Sequence, residues 1–289
     1  MSTARPELLA LLDAVKDHPD DDTPRLVLAD WLDEQENSLD AARANFIRRD
    51  IGRAPELLVR SRTLTEAEEA ERLFPLWLGP VAALGSGRFE RGLPVLSISG
   101  PRLLKPDVPA LLASEEFAFV QCLHLVEAGG ARMPAMTAVP EFQHVPALSA
   151  HPFTPLGTHS AAKFFGSPNL GGMRQIALRG VYPGAVGMQA LAANPALARL
   201  RKLALAHNKL VDKSVTALAV GKHLARLEVL DLSDNNIGDA GARALVESQT
   251  LANLRELNLQ ENSRLTDGGK AALRERFGHR VNLTSQLFS

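Results

Sequence analysis

Few residues in this chain combine the types and spacing that chemistry needs. Cys122 and His124 stand two apart, so on a strand they share an outward face, as a nucleophile and its base would. No carboxylate or amide is placed to orient the histidine, and no pattern marks an oxyanion hole. Asp17, His18, Asp20, Asp21 and Asp22 cluster metal-ligand types, but their spacing fits neither an EF-hand nor a zinc site, and helix ends account for them better. Arg43, Arg48, Arg49, Arg53, Arg60 and Arg62 make a basic run that could meet phosphate, against the simpler reading of a solvated helix face. Phosphate-cradling glycine loops, nucleophile elbows and zinc-ligand spacings are absent from the sequence. The expectation is no catalytic residue, no cofactor and no metal.

One chemical group does recur. Asn208, Asn235 and Asn262 are 27 residues apart and close three copies of one pattern. The copies read Leu200-Arg-Lys-Leu203-Ala-Leu205-Ala-His-Asn208, Leu227-Glu-Val-Leu230-Asp-Leu232-Ser-Asp-Asn235 and Leu254-Arg-Glu-Leu257-Asn-Leu259-Gln-Glu-Asn262. The fourth and sixth residues of each copy are two apart and share the inward face of a strand. The asparagine follows where the chain leaves the strand, and an amide that both donates and accepts can pair the backbone of stacked turns. Beyond it, Leu210 to Leu218 and Ile237 to Leu245 have apolar residues at helical spacing.

These copies fit the leucine-rich repeat template and resemble its helix-bearing, ribonuclease-inhibitor-like class. The resemblance implies an α/β fold, a leucine-rich repeat solenoid with a curved parallel sheet inside and helices outside. Counting outward from the clear copies gives seven strands, starting at 93, 120, 145, 173, 200, 227 and 254, with a closing strand within Phe277 to Leu283. Val181 replaces the asparagine of the fourth copy. Prolines 134, 140, 146, 152, 155 and 168 predict that copies two and three are irregular, with Ala128 to Thr158 either drifted or a binding loop.

Ahead of the repeats, residues 6–50 predict a small all-α module. Leu8, Leu9, Leu11, Leu12 and Val15 form one apolar stripe, and Thr23-Pro24 is read as cap and first position of a second helix with Leu26, Leu28, Trp31 and Leu32. Asp40 to Asp50 forms a third. Trp31 is expected to be buried. The run Asp20 to Glu34, with Phe46-Ile-Arg48 downstream, resembles the bacterial repeat-companion domain, which implies a bacterial source and repeats to follow. Asn45 and Asp50 stand where that pattern usually has Glu and Gln. Thr65 to Glu68 reads as a capping box, so a helix from Glu66 to about Trp77 is expected to cover the first repeat. The domains are therefore 1–50, helical companion module; 51–91, helical linker and N-terminal cap; and 92–289, solenoid with a C-terminal cap.

Across 289 residues the net charge is −1, which gives no global attraction for nucleic acid or an anionic membrane. A single cysteine forbids an internal disulfide, the first residues lack the apolar core and cleavage site of a signal peptide, and no stretch suits a membrane span. A cytoplasmic monomer is expected, with a protein or peptide partner and neither membrane nor nucleic acid. Strand positions facing away from the core supply the candidate partner-binding residues: Gln175 and Arg179; Lys202 with His207 beyond it; Asp231, Ser233 and Asp234; Glu256, Asn258 and Gln260. They run from basic to acidic along the copies. A non-enzymatic interaction scaffold is the leading reading; the alternative is an enzyme or metal-dependent factor centred on the N-terminal acidic helices.

Overall fold

The structure is a computed structural model that describes residues 5–51, 64–150 and 155–283, with backbone alone at 64–67, 69 and 70. The chain divides into two compact units, Met1–Ile98 with Lys105–His124, and Ser99–Leu104 with Leu125–Ser289.

The first unit opens with α1 (Pro6–Asp17), α2 (Thr23–Asp33) and α3 (Ser38–Ile51). In α1, Leu8, Leu12 and Val15 recur at helical spacing and are the buried residues. Thr23 lies inside α2 and makes no cap; the carboxylate of Asp21 accepts its N–H at 2.9 Å instead. Asn37 caps α3, its side-chain oxygen accepting from Leu39 N at 2.9 Å. Next comes α4 (Leu64–Leu78), which starts earlier than the expected Glu66; the side chain of Thr65 lies outside the described residues. Trp77, near its end, is fully buried and packs edge-on to Phe46 and Phe89 at 5.6 and 4.9 Å. Trp31 departs from expectation. It is half-buried beneath the Arg5 guanidinium at 5.3 Å, because the aromatic core gathers around Trp77, with α2 contributing Leu28 and Leu32.

The 51–91 stretch is not wholly helical. It contains β1 (Ser86–Glu90), which pairs antiparallel with β2 (Leu93–Ser99). Arg91 and Gly92 make the two-residue turn, both with positive φ (48° and 83°), as a twist-matched hairpin demands. Gly92 has a further constraint: a Cβ there would lie 2.7 Å from Ile47 Cα, and its N–H donates to buried Asp50 at 2.7 Å. The short α5 (Gly100–Leu103) counts with the second unit, while α6 (Val108–Leu112) and α7 (Glu115–Ala118) return to the first and lead to β3 (Cys122–Val126). Gln121 N donates to Pro94 O at 2.9 Å, beside β2.

In the second unit, α8 (Arg132–Met136) is a single short turn, as the prolines foretell; residues 151–154 of the suggested loop lie outside the described residues. The pattern then becomes regular, with β4 (Ala147–Ala150), α9 (Thr158–Phe165), β5 (Gln175–Leu178), α10 (Gly184–Ala193), β6 (Lys202–Ala204), α11 (Asp212–Ala219), β7 (Val229–Asp231), α12 (Asp239–Glu247), β8 (Glu256–Asn258), α13 (Asp267–Phe277) and β9 (Val281–Asn282). Strands β4 to β9 pair in chain order, all parallel, and successive helices from α9 to α13 pack side by side. This is the α/β leucine-rich repeat architecture that the spacing predicts. Strands β4 to β8 each begin two residues after the predicted copy start, and β9 is the expected closing strand.

Register repeats the sequence period. Ile176, Leu203, Leu230 and Leu257 align across β5 to β8, all buried. Each asparagine bonds backward to the preceding copy. Asn235 Oδ1 accepts from Asn208 N (3.0 Å) and Leu210 N (2.9 Å), while its Nδ2 donates to Leu205 O, Leu232 O and Ser233 O at 2.9–3.0 Å. Asn208 and Asn262 do the same, and Asn208 accepts from Val181 N in the copy that lacks its own asparagine. Helix starts are tied across copies too. Asp212 accepts from Gly238 N (2.7 Å) and Gly241 N (3.1 Å) at the head of α12, and Asp239 from Thr266 N (2.9 Å) ahead of α13.

Candidate interaction surface

Alternation along strands β5 to β8 turns one set of side chains away from the leucine core. Parallel register then lines them up in rows: Gln175, Lys202, Val229, Glu256 in the first, and Ala177, Ala204, Asp231, Asn258 in the second. Most are half-buried, as befits side chains standing on a sheet; Glu256 is exposed. Together they frame a shallow depression of about 240 Å³ that brings Gln175, Lys202, Asp231, Glu256 and Asn258 around one opening. Arg179 and Ser233 fall beyond the strand ends. Gln260 turns toward the closing strand, donating to Asn282 Oδ1 at 3.1 Å.

Several of these residues have structural duties. Asp231 Oδ1 accepts from Ser233 N (2.9 Å), and Asn258 Oδ1 from Gln260 N (3.1 Å), so both shape the turn that follows their strand. His207, Asp234 and Glu261 occupy one repeating slot with φ between 51° and 58°, the slot that Gly180 fills in the fourth copy with φ 71°. His207 N donates to Ser233 O, and Asp234 N to Gln260 O, so the left-handed turn keeps the strand-to-strand bonding going. The His207 ring Nδ1 meets the Asp234 carboxylate, so these two candidates of adjacent copies already partner each other at the rim of the surface.

One part of the surface was not found by sequence reasoning. At the leading edge of the strands, Arg201 pairs with Glu228, whose other oxygen lies 3.4 Å from Arg255. The signal was present as Arg174, Arg201, Glu228 and Arg255 at the second position of successive copies. The leucine template is silent there.

The N-terminal candidates are engaged elsewhere. Arg91 pairs with Asp22 and lies 3.9 Å from Asp20, and Asp21 serves α2, so the acidic run is a helix junction fastened to the hairpin turn. Arg43 is buried between Asp40 (2.9 Å) and Trp77 O (2.6 Å), and Arg48 reaches Asp30 and Asp33. Arg53, Arg60 and Arg62 lie outside the described residues. Cys122 and His124 are half-buried on one face of β3, the thiol 3.6 Å from Leu123 O. Among the described residues the most buried cation is Arg25, which the sequence did not single out. It donates to Arg91 O, Pro19 O, Asp21 O and Gln121 Oε1, and burial lowers its pKa to about 10.

Residues 223–246, from the end of one copy through the strand and helix of the next, match the Leucine Rich repeat family model. The repeats are of the leucine-rich type. No curated protein matches the chain. Among solved structures, an internalin from Listeria monocytogenes is similar over 56% of this chain and 53% of its own, with 16% identity and a TM-score of 0.25. The match thus spans about half of that protein's length. Among the described residues, no helix is long and apolar enough to cross a membrane.

Proposed function

We propose that the chain is a non-enzymatic interaction protein whose outward strand face in the second unit binds a protein or peptide. The observation that carries this reading is the in-register row Gln175, Lys202, Val229 and Glu256 over a shallow opening, with charge changing sign along it. An extended partner, acidic where it meets Arg179 and Lys202 and basic where it meets Glu256, complements that order and is steered by it. The candidate contacts remain Gln175, Arg179, Lys202, His207, Asp231, Ser233, Asp234, Glu256, Asn258 and Gln260. Residues 1–50 are read as a repeat-companion module, 51–91 as linker and cap, and 92–289 as the repeats, in a monomer of the bacterial cytoplasm.

The test begins with affinity capture of partners on the full chain. Affinity is then measured for Lys202→Glu with Glu256→Lys, against a control on the helices, Glu247→Lys with Glu275→Lys. The strand-face pair is expected to weaken binding by about tenfold or more through both on-rate and pairing. Asp231 is left intact, because its carboxylate holds Ser233 N. Loss with the helix-face pair and not the strand-face pair moves the site off the sheet.

A further inference from the structure

The helix side of the second unit has its own repeating polar device, and it fails at one copy. Ser167, Asn194, Gly221 and Ser248 are spaced by 27 residues at the end of successive helices. Ser167 Oγ donates to Thr137 O (2.6 Å), Asn194 Nδ2 to Phe165 O (2.7 Å) and Ser167 O (2.8 Å), and Ser248 Oγ to Ala219 O (2.5 Å). Each side chain closes the seam to the copy before it. Gly221 has no side chain to do so, and a Cβ there would meet Ala192 Cβ at 2.9 Å.

At that seam a groove of about 700 Å³ lies between α10 and α11. Ala192, Ala193, Ala217 and Val220 give it an apolar floor, and Val220 is left 68% exposed. Lys213, Lys222 and His223 stand on its rim, and no carboxylate lines it. Among the described residues none of these three pairs with an acid. Asp212, next in sequence to Lys213, turns its Oδ1 to Gly238 N and Gly241 N in the following copy. Small residues below, and two lysines and a histidine above that pair with no acid, suit a ligand with opposite features.

We propose that this groove is a second binding site, for an acidic polypeptide segment that seats one or two apolar side chains on the alanine floor while its carboxylates meet Lys213, Lys222 and His223. Charge complementarity selects the acidic partner, and the volume, within the usual range for ligand sites, takes a few side chains rather than a whole helix. The site is independent of the strand face.

Selection of a phage-displayed dodecapeptide library on the full chain, with Lys213→Glu/Lys222→Glu as the counter-selecting variant, tests it. Groove-dependent peptides are expected to carry net negative charge with at least one Leu, Ile, Phe or Met. By fluorescence anisotropy their affinity should fall about tenfold or more in the reversed variant and in Ala193→Gln, and stay unchanged in Lys202→Glu/Glu256→Lys. Lys213, Lys222, Ala193 and Glu256 are exposed and Lys202 is half-buried, and circular dichroism checks that each variant folds. Neutral or basic groove-dependent peptides, no groove-dependent peptide at all, or loss only in the strand-face variant overturns the proposal. Groove-dependent binding of dodecanoate without any peptide overturns it in favour of a small amphiphile.

Discussion

In the first unit the buried polar groups are charged and singular. Arg25, Arg43, Asp40 and Asp50 sit under 6% exposed, and besides near neighbours they bond segments far off in sequence, as Arg25 reaches Arg91 O across 66 residues and Gln121 across 96. In the second unit the buried groups that join copies are neutral and periodic: Ser167, Asn194, Asn208, Asn235, Ser248 and Asn262. The difference follows from what each group can satisfy. A guanidinium offers five donors in a fixed fork and suits one place where several carbonyls converge, as they do between α2 and the hairpin turn. An amide donates and accepts on one side chain, so the same group can serve every copy of a stack. Burying a charge is costly unless it is fully bonded, so the first unit concentrates its stability at a few positions and the second spreads it.

The contrast can be measured, because both tryptophans, Trp31 and Trp77, belong to the first unit. Tryptophan fluorescence follows that unit, while circular dichroism follows both. The largest effect is expected from Arg25→Ala, which removes the donors to Asp21 O, Arg91 O and Gln121 Oε1 at once, leaves Pro19 O with Arg91 alone, and opens a cavity. A loss of about 3 kcal/mol or more is expected in denaturant melts followed by fluorescence. Arg25→Lys should recover little, since an ammonium cannot span acceptors set out for a planar fork. A lysine variant with wild-type stability would show that charge alone, and not the fork, holds the junction.

Legibility divides along the same line. Leu203, Leu205 and Asn208 could be read because the same types return 27 residues later at Leu230, Leu232 and Asn235, and a strand pattern followed by a helix pattern at a fixed period marks a stacked repeat. The strand rows followed directly from that reading. Arg25, β1 and the Trp77 core could not be found this way: each is set by a meeting of distant segments that occurs once. The hairpin turn is Arg91-Gly92 rather than Asn-Gly, so even the local turn signal was weak. The Gly221 seam lies between the two cases. It is periodic, but serine, asparagine and glycine do not announce themselves as one position until their bonds are seen.

Asn235→Ala probes the periodic unit. It removes two accepted and three donated bonds at a site 5% exposed, and a loss of roughly 1 to 3 kcal/mol is expected. The loss should register in circular dichroism before tryptophan fluorescence responds. Asn37→Ala is a useful companion in the first unit. Its side chain caps α3, so a cost of about 1 kcal/mol is expected, below that at Asn235. Equal losses at the two sites would remove the ladder's claim to be more than a set of ordinary caps.

The smallest effect sharpens the comparison through pH. Each unit has an exposed carboxylate whose pKa is lowered by hydrogen bonds that favour its charged form: Asp21 by the backbone N–H and then the side chain of Thr23, and Asp239 by the side chain and then the backbone N–H of Thr266. A folded pKa below the unfolded one means that folding favours the ionised form. That contribution is fully present above the ordinary aspartate value, near pH 4, and fades as pH falls through the folded pKa. Asp239→Asn should therefore be less stable than the parent at neutral pH, with the gap closing on acidification below about pH 4. Because Asp239 spans two copies and Asp21 serves a single junction, the gap for Asp239→Asn should appear in circular dichroism, and that for Asp21→Asn in tryptophan fluorescence. A gap that stays constant from pH 7 to pH 2 would mean that the charge on Asp239 plays no part, and that shape alone joins Thr266 to the preceding copy.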